Sequence, residues 1–357
     1  MPEIRIPEGA APRPAVSGAP YSDVLIARMK DKADVSFATQ MPRGAERRTA
    51  VFDALRQTAE RSQVAVRTKL EEMKSAGLVA SYESLYLPNA VVVKAAPGKW
   101  AAVEQALGGL AEIQQVVPNR TWSVSTTAVQ GAAMVASGKS PVATLPEWGV
   151  EKIGAPEAWD RGFRGQGVTV GIVDTGLDAS HPALRAAYRG TNPDGTQTND
   201  YNWFDGVSGK AAPYDDGAHG THVAGTVAGR ADGHIVGVAP DARIIAAKAI
   251  VGGGANTTEA TLKALQFMLA PTDVNGHNPD PARGADIVNN SWGNADRSDR
   301  TFMDTWDAFQ AAGIIMVTAA GNDGPFGKVS PPGSYTNGIS VAATGPSDKV
   351  AGFSSRG

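Results

Sequence analysis

The sequence predicts two units in succession: an α+β unit of ferredoxin-like βαββαβ order, then a larger α/β unit built on a doubly wound parallel sheet. Three observations carry this. At 357 residues the chain is too long for one average domain and suits two, each able to bury its own core. A patternless Ser/Thr/Ala/Gly-rich stretch over 121–146 separates regions of different texture. Beyond Trp148, short apolar runs alternate with helical patterns, which implies parallel strands joined by crossover helices.

Residues 1–20 are rich in Pro, Ala and Gly without periodicity and are expected to form an unstructured leader. The first unit spans 21–120. It opens with a strand at 24–30, followed by one long amphipathic helix with Phe52, Leu55, Ala59, Val66, Leu70 and Met73 at three- and four-residue intervals. Gly77 closes that helix. Strands at 79–86 and 90–93 join near Pro88-Asn89, a helix at 100–107 stops at Gly108-Gly109, and a strand at 113–117 completes the set. This order predicts one sheet with two helices on one face. Segment 121–146 is expected to be a linker exposed to proteolysis.

The second unit, 147–357, is expected to hold strands at 168–173, 244–250, 287–290, 314–318 and 339–343. Helices are expected from His219, over 257–269 and over 302–312. Asn256 with Glu259 reads as a capping box, and Gly313 as a helix stop. Sites in such sheets gather beyond the carboxyl ends of strands, where Asp174 and Asn322 both fall.

Composition removes several function classes. With 33 basic and 36 acidic residues the net charge is −3, so no single-sign field favours nucleic acid. No cysteine means no disulfide framework, thiolate metal site or cysteine nucleophile. No apolar run is long enough to span a membrane, and the first residues carry acid and proline where a secretory signal would be apolar.

Asp174, His219 and Asn322 form a chemically coherent set. A histidine acts as a general base near neutral pH when a carboxylate on its other ring nitrogen fixes the tautomer and stabilises the imidazolium, and Asp174 can do this for His219. A developing oxyanion needs a donor fixed beforehand, for which the Asn322 amide is the candidate. A zinc site using His219 and His222 is disfavoured, because the spacing is not His-Glu-x-x-His and no third ligand lies nearby. Asp178, Asp215 and Asp216 border glycine turns, where carboxylates commonly serve the backbone. Gly252-Gly253-Gly254 suits a flexible turn or a cleft wall equally.

Three strings, Asp174-Thr175-Gly176, His219-Gly220-Thr221-His222-Val223-Ala224-Gly225 and Ala320-Gly321-Asn322, resemble the subtilisin-like serine proteases, in the family's order of Asp, His and then Ser. The resemblance runs from about Trp148 to Gly357 and implies an endopeptidase with no required cofactor, acting on polypeptides, expected to be monomeric and exported. It further implies that Gly252, Gly253 and Gly254, with Ser291, Trp292, Gly293, Ala320 and Gly321, flank an extended substrate. The βαββαβ unit is similar to the family's propeptide, an intramolecular inhibitor and folding assistant.

The resemblance breaks at two points. The family's serine stands in a Gly-Thr-Ser-Met-Ala-like string opening a helix, and none of Ser208, Ser291, Ser354 or Ser355 fits it. The expectation is a precursor that continues past Gly357, the 357 residues alone being inactive: in subtilisin, loss of the serine costs about 2 × 10⁶ in turnover. Several relatives bind structural calcium through an aspartate directly after a His-Pro, but Ala183 follows His181-Pro182, so any calcium would need another site. The alternative reading is a non-catalytic inhibitor or chaperone-type binding protein.

Overall fold

The computed structural model describes residues 23–123, 146–231 and 234–357; the expected leader, and the expected linker beyond residue 123, fall outside the described residues. In chain order the first part contains β1 (Val24–Met29), α1 (Ala45–Ser62), α2 (Val64–Ser75), β2 (Val79–Leu85), β3 (Ala90–Ala95), α3 (Trp100–Gly108), β4 (Ile113–Pro118) and β5 (Thr121–Ser123). The second contains α4 (Trp148–Lys152), α5 (Ala155–Asp160), β6 (Thr169–Asp174), β7 (Trp203–Asp205), α6 (His219–Ala228), β8 (Arg230–Ala231), β9 (His234–Ile235), β10 (Arg243–Lys248) and β11 (Ala255–Thr257). It ends with α7 (Thr258–Leu269), β12 (Ile287–Asn290), α8 (Met303–Ala311), β13 (Ile315–Ala319) and β14 (Ile339–Val341).

Strands β1 to β4 form an antiparallel sheet in the order β2-β3-β1-β4, the ferredoxin-like arrangement. Side chains alternate across a strand, and here both faces are buried. Leu25, Ala27, Met29, Val91 and Val93 face α2 and α3, packing on Val66, Leu70, Met73, Val103 and Leu107. Ile26, Ala90 and Val92 face the other way, into a core shared with α1, α7 and α8.

This second face explains why the single long helix expected over 52–73 is two. Gln63 interrupts it, its buried amide donating to Leu85 O at 2.9 Å, Asn89 Oδ1 at 2.7 Å and Ala90 O at 3.3 Å. Helix α2 therefore stays with its own sheet, while α1 packs against the second unit. Gly77, at φ 71°, ends α2 in a Schellman turn, with Leu78 N donating to Met73 O at 2.9 Å.

The larger sheet is wholly parallel, in the order β14-β13-β12-β6-β10-β7. Helix α6 covers one face through Ala224 and Ala228 against Val170, Ile172, Ile244 and Ala246. Helices α7 and α8 cover the other through Leu262, Leu265, Met268, Trp306 and Phe309. Strand β6 lies where the winding reverses: β10 and β7 extend one side, β12 to β14 the other. A crevice at the carboxyl end of β6 is the expected result.

Helix α7 is not capped by the Asn256–Glu259 box that its sequence suggests. Thr257 is its N-cap, accepting from Ala260 N at 3.2 Å, while Asn256 Oδ1 is taken by Thr261 Oγ1 at 2.8 Å. The remaining first-turn amides are satisfied from the first unit, Thr258 N by Arg120 O at 3.0 Å and Glu259 N by Asn119 Oδ1 at 2.9 Å. Strand β5 continues this contact by pairing antiparallel with β11. Replacement of a helix-capping side chain by alanine typically costs about 1 kcal/mol. Asn119→Ala should therefore lower the unfolding free energy by that amount, seen as a lower denaturant midpoint at constant slope, a change that equilibrium urea unfolding followed by tryptophan fluorescence can check.

Candidate active site

Strand β6 delivers Asp174 at its carboxyl end, fully buried. The Asp174 carbonyl is held by Ala249 N at 2.9 Å, and its carboxylate Oδ1 accepts from Thr175 N at 2.7 Å. The same oxygen lies 2.7 Å from Nδ1 of His219, the first residue of α6. That contact requires α6 to begin very close to the end of β6. A Cβ on Gly220 would sit 2.2 Å from Gly176 O, and one on Gly217 2.9 Å from Thr175, so only glycine fits at either place.

Helix α6 has no cap of its own: Ala218 precedes it in a left-handed conformation at φ 58°, without a capping side chain. Its amides are met from elsewhere, Gly220 N by Thr175 Oγ1 at 2.9 Å and Thr221 N by Asp215 Oδ2 at 2.9 Å. Asp215 also accepts from Gly217 N at 2.9 Å, Thr175 Oγ1 at 2.8 Å and Thr221 Oγ1 at 2.6 Å. Burial pushes the Asp215 carboxyl up, but the bonds from Thr221, Gly217 and Thr175 together outweigh it and hold the group below the usual carboxylate range. Asp215 thus serves the backbone, while Asp216 pairs with the buried Lys248.

The His219 pKa is raised. The hydrogen bond to Asp174 is the main cause, partial burial opposes it, and the charges of Asp174 and Asp215 add to the rise. The ring is mostly enclosed, with 14% of its side chain exposed. Among the described residues nothing hydrogen-bonds Nε2, so that nitrogen is available to a reacting group.

Asn322 lies three residues beyond β13, a strand that is two places from β6 and so about 10 Å from it across the sheet. It is exposed, on a turn that starts from Gly321 at φ 110°. The turn is braced by Ser355, whose N donates to Gly321 O at 2.9 Å and whose Oγ accepts from Asp323 N at 3.1 Å. Ala320, buried, donates its N to Val341 O at 2.9 Å. Ser291, Trp292 and Gly293 follow β12 and are fixed to the next segment by Asn294 N donating to Pro331 O at 2.7 Å. The Trp292 indole is core, not surface: it packs edge-on against Phe302 at 5.5 Å and Trp306 at 6.3 Å.

Gly252-Gly253-Gly254 differs from an extended wall. Gly254 N donates to Val251 O at 2.7 Å and Gly254 has φ 83°, a turn that glycine permits, and the extended pairing falls to Ala255–Thr257 in β11. Gly252 itself packs on Asp216, where a Cβ would meet Asp216 O at 2.2 Å. Asp215 serves the backbone as its glycine-turn setting predicts, whereas the bracing parts of Thr175, Lys248 and Ser355 are not among the sequence expectations. The signal available was the repeated Asp, Thr and Gly beside both functional strings.

Residues 165–357 match the model of the subtilase family. The chain belongs to the subtilase family. It is similar to bacillopeptidase F of Bacillus subtilis, 37% identical over 321 residues, which is 87% of this chain and 22% of that protein. The minor extracellular protease Vpr of the same organism is 33% identical, over 65% of this chain and 27% of its own length. Subtilisin Savinase of Lederbergia lenta is 31% identical, over 59% of this chain and 68% of its own length. The chain thus spans about a quarter of the first two relatives. The subtilase match begins just before β6 and covers every strand of the parallel sheet, whereas similarity to bacillopeptidase F reaches into the first unit.

A pKa raised on folding stabilises the folded state fully below the unfolded value, about 6.5 for histidine, and that contribution is lost as pH rises through the folded value. Unfolding free energy should therefore decline over this window. Gly220→Ala, which pushes α6 off β6, should bring the His219 titration down toward the ordinary value; NMR of the imidazole signals would measure it.

Proposed function

We propose that the protein is the precursor of a serine endopeptidase in which His219 is the general base, Asp174 orients it and Asn322 donates to the tetrahedral oxyanion. The serine would come from sequence downstream of Gly357. The observation that carries this reading is the 2.7 Å bond between Asp174 and His219 Nδ1 at the carboxyl edge of a parallel sheet. It keeps the proton on Nδ1, leaves Nε2 to take the serine proton, and stabilises the imidazolium that then protonates the leaving amine. The chemistry requires no cofactor. Polypeptides in extended conformation are the proposed substrates, flanked by β11 and by the backbone of Ser291-Trp292-Gly293.

Residues 21–120 act in this reading as an intramolecular inhibitor, and the relatives' description as extracellular supports export. Strand β5 lies along β11 as an extended substrate would, with the Trp122 ring against Phe302 at 5.8 Å. The first unit is anchored by Arg47, which donates to Ala311 O at 2.6 Å and Gln310 O at 3.0 Å, and by Arg48, bonded to Pro281 O at 3.1 Å and Asp286 at 2.7 Å. A second reading, a non-catalytic inhibitor or chaperone-type binding protein, rests on the first unit, whose β5 edge and whose Arg47 and Arg48 already grip a partner surface.

Expression of the gene with the codons beyond 357 decides between the two. The endopeptidase should cut itself between Asn119 and Pro146 and become labelled by a fluorophosphonate; an intact, unlabelled product would leave the second reading standing. In the active protein, His219→Ala should lower kcat by about 10⁶ and Asn322→Ala by about 10²–10³, the sizes found in subtilisin for a triad histidine and the oxyanion amide. Hydrogen bonds from charged groups are worth about 1.5–3 kcal/mol. Arg47→Ala in the isolated first unit, added in trans, should therefore inhibit at least about tenfold more weakly than the unaltered unit.

A further inference from the structure

Lys248, the last residue of β10, lies opposite Asp174 in register. Its side chain is completely buried, and its ammonium donates to Thr175 O, to Asp216 Oδ1 and to Ile250 O at 2.8 Å. An ammonium has three protons, so every donor is used. The acceptors belong to three different segments. Thr175 follows the Asp174 carboxylate, Asp216 lies three residues before His219, and Ile250 leads into the Gly252–Gly254 turn. The Tyr214 ring lies 5.0 Å from the ammonium.

A buried cation is an expensive way to fill this space. Desolvation of an ion pair often cancels its attraction, and a well-packed apolar side chain would serve stability at least as well. What an apolar side chain lacks is direction: three bonds from one nitrogen fix three backbone segments relative to one another.

We propose that Lys248 is a positioning residue for the Asp174–His219 pair, tying the end of β6 to the loop that delivers the imidazole and to the turn beside it. This rests on the reading of Asp174 and His219 as a catalytic pair. The charges facing His219 are Asp174 and Asp215, and Lys248 neutralises the neighbouring Asp216. Charge and geometry therefore predict opposite effects on removing the lysine. Loss of a cation acting only through its field would raise the His219 pKa further, whereas loss of the Asp174 contact would lower it.

The test is proton NMR of the 357-residue chain, which needs no nucleophile. The unaltered chain should show a far-downfield, exchange-protected Nδ1 proton on protonated His219. In Lys248→Met this signal should vanish or move upfield and the His219 titration should fall, while the indole signals of Trp292 and Trp306 report an intact core. Asp216→Asn, which keeps an acceptor for the ammonium, should retain the signal, and Asp216→Ala should weaken it. A folded Lys248→Met with the downfield proton retained, at an unchanged or raised titration, overturns the proposal. If that variant does not fold, an unaltered signal in Asp216→Ala overturns it instead. Absence of the downfield proton from the unaltered chain would remove the catalytic pair itself, a failure of the proposed mechanism distinct from a failure of Lys248.

Discussion

The approach of the first turn of α6 to the end of β6 is the constraint on which the candidate site depends. Helix and strand meet backbone to backbone at Gly220 and Gly176, with no room for a Cβ on either; one on Gly176 would lie 2.0 Å from Tyr214 O. The contact brings a helix N-terminus, with its partial positive charge, to a histidine expected to accept a proton. That dipole disfavours the imidazolium by about 0.3–1 kcal/mol. The net shift of His219 is nevertheless upward, because Asp174 contributes both a hydrogen bond and a full charge at 2.7 Å. Close packing thus decides the electrostatics: a small outward movement would weaken the carboxylate contact and leave dipole and burial to prevail.

The same logic explains where the first unit binds. Helices α7 and α8 lie side by side on one face of the parallel sheet, and each presents an end whose backbone groups need partners. Asn119 and Arg120 serve the amino end of α7, and Arg47 the carboxyl end of α8. Gln266, within α7, returns the favour by accepting from Tyr86 N at 2.9 Å and Leu87 N at 3.2 Å. Strand β5 therefore reaches β11 as the extension of a helix cap, so pairing with β11 and completion of α7 are one structural event.

Much of this architecture was legible in the sequence because it rests on local periodicity. The βαββαβ order, the parallel strands and the helix beginning at His219 all follow from apolar spacing and glycine stops. Asp174 and His219 were legible because each stands at the junction of an apolar strand or small-residue helix with a polar turn. What stayed hidden were partnerships between distant segments. The break at Gln63 arises because the far face of the first sheet is covered by another unit, and nothing in the local pattern of α1 and α2 reveals that. The capping box at Asn256 fails for a similar reason, since Asn119, far off in sequence, already holds the Glu259 amide. Lys248 is a single charged residue inside the strand expected over 244–250, and its importance emerges only where its three acceptors converge.

Attachment of the first unit is dominated by apolar burial rather than by charge. Ion pairs do cross the boundary: Arg28 and Lys32 to Asp304, Arg48 to Asp286, Glu83 to Lys263. Most have at least one partner well exposed, and such pairs contribute about 0–1 kcal/mol each. Against them stand Ile26, Val51, Leu55, Leu85, Leu87 and Val92, all buried in the core shared with α7 and α8. Each such side chain is worth up to about 1.5–3 kcal/mol on full burial, an upper limit because the isolated unit would cover part of this surface itself. Even halved, that sum exceeds the ion pairs, so the charges set orientation and the apolar face sets strength. The backbone between the two units is then not what holds them together, and cutting it would leave the first unit in place over β11 until something other than salt removed it.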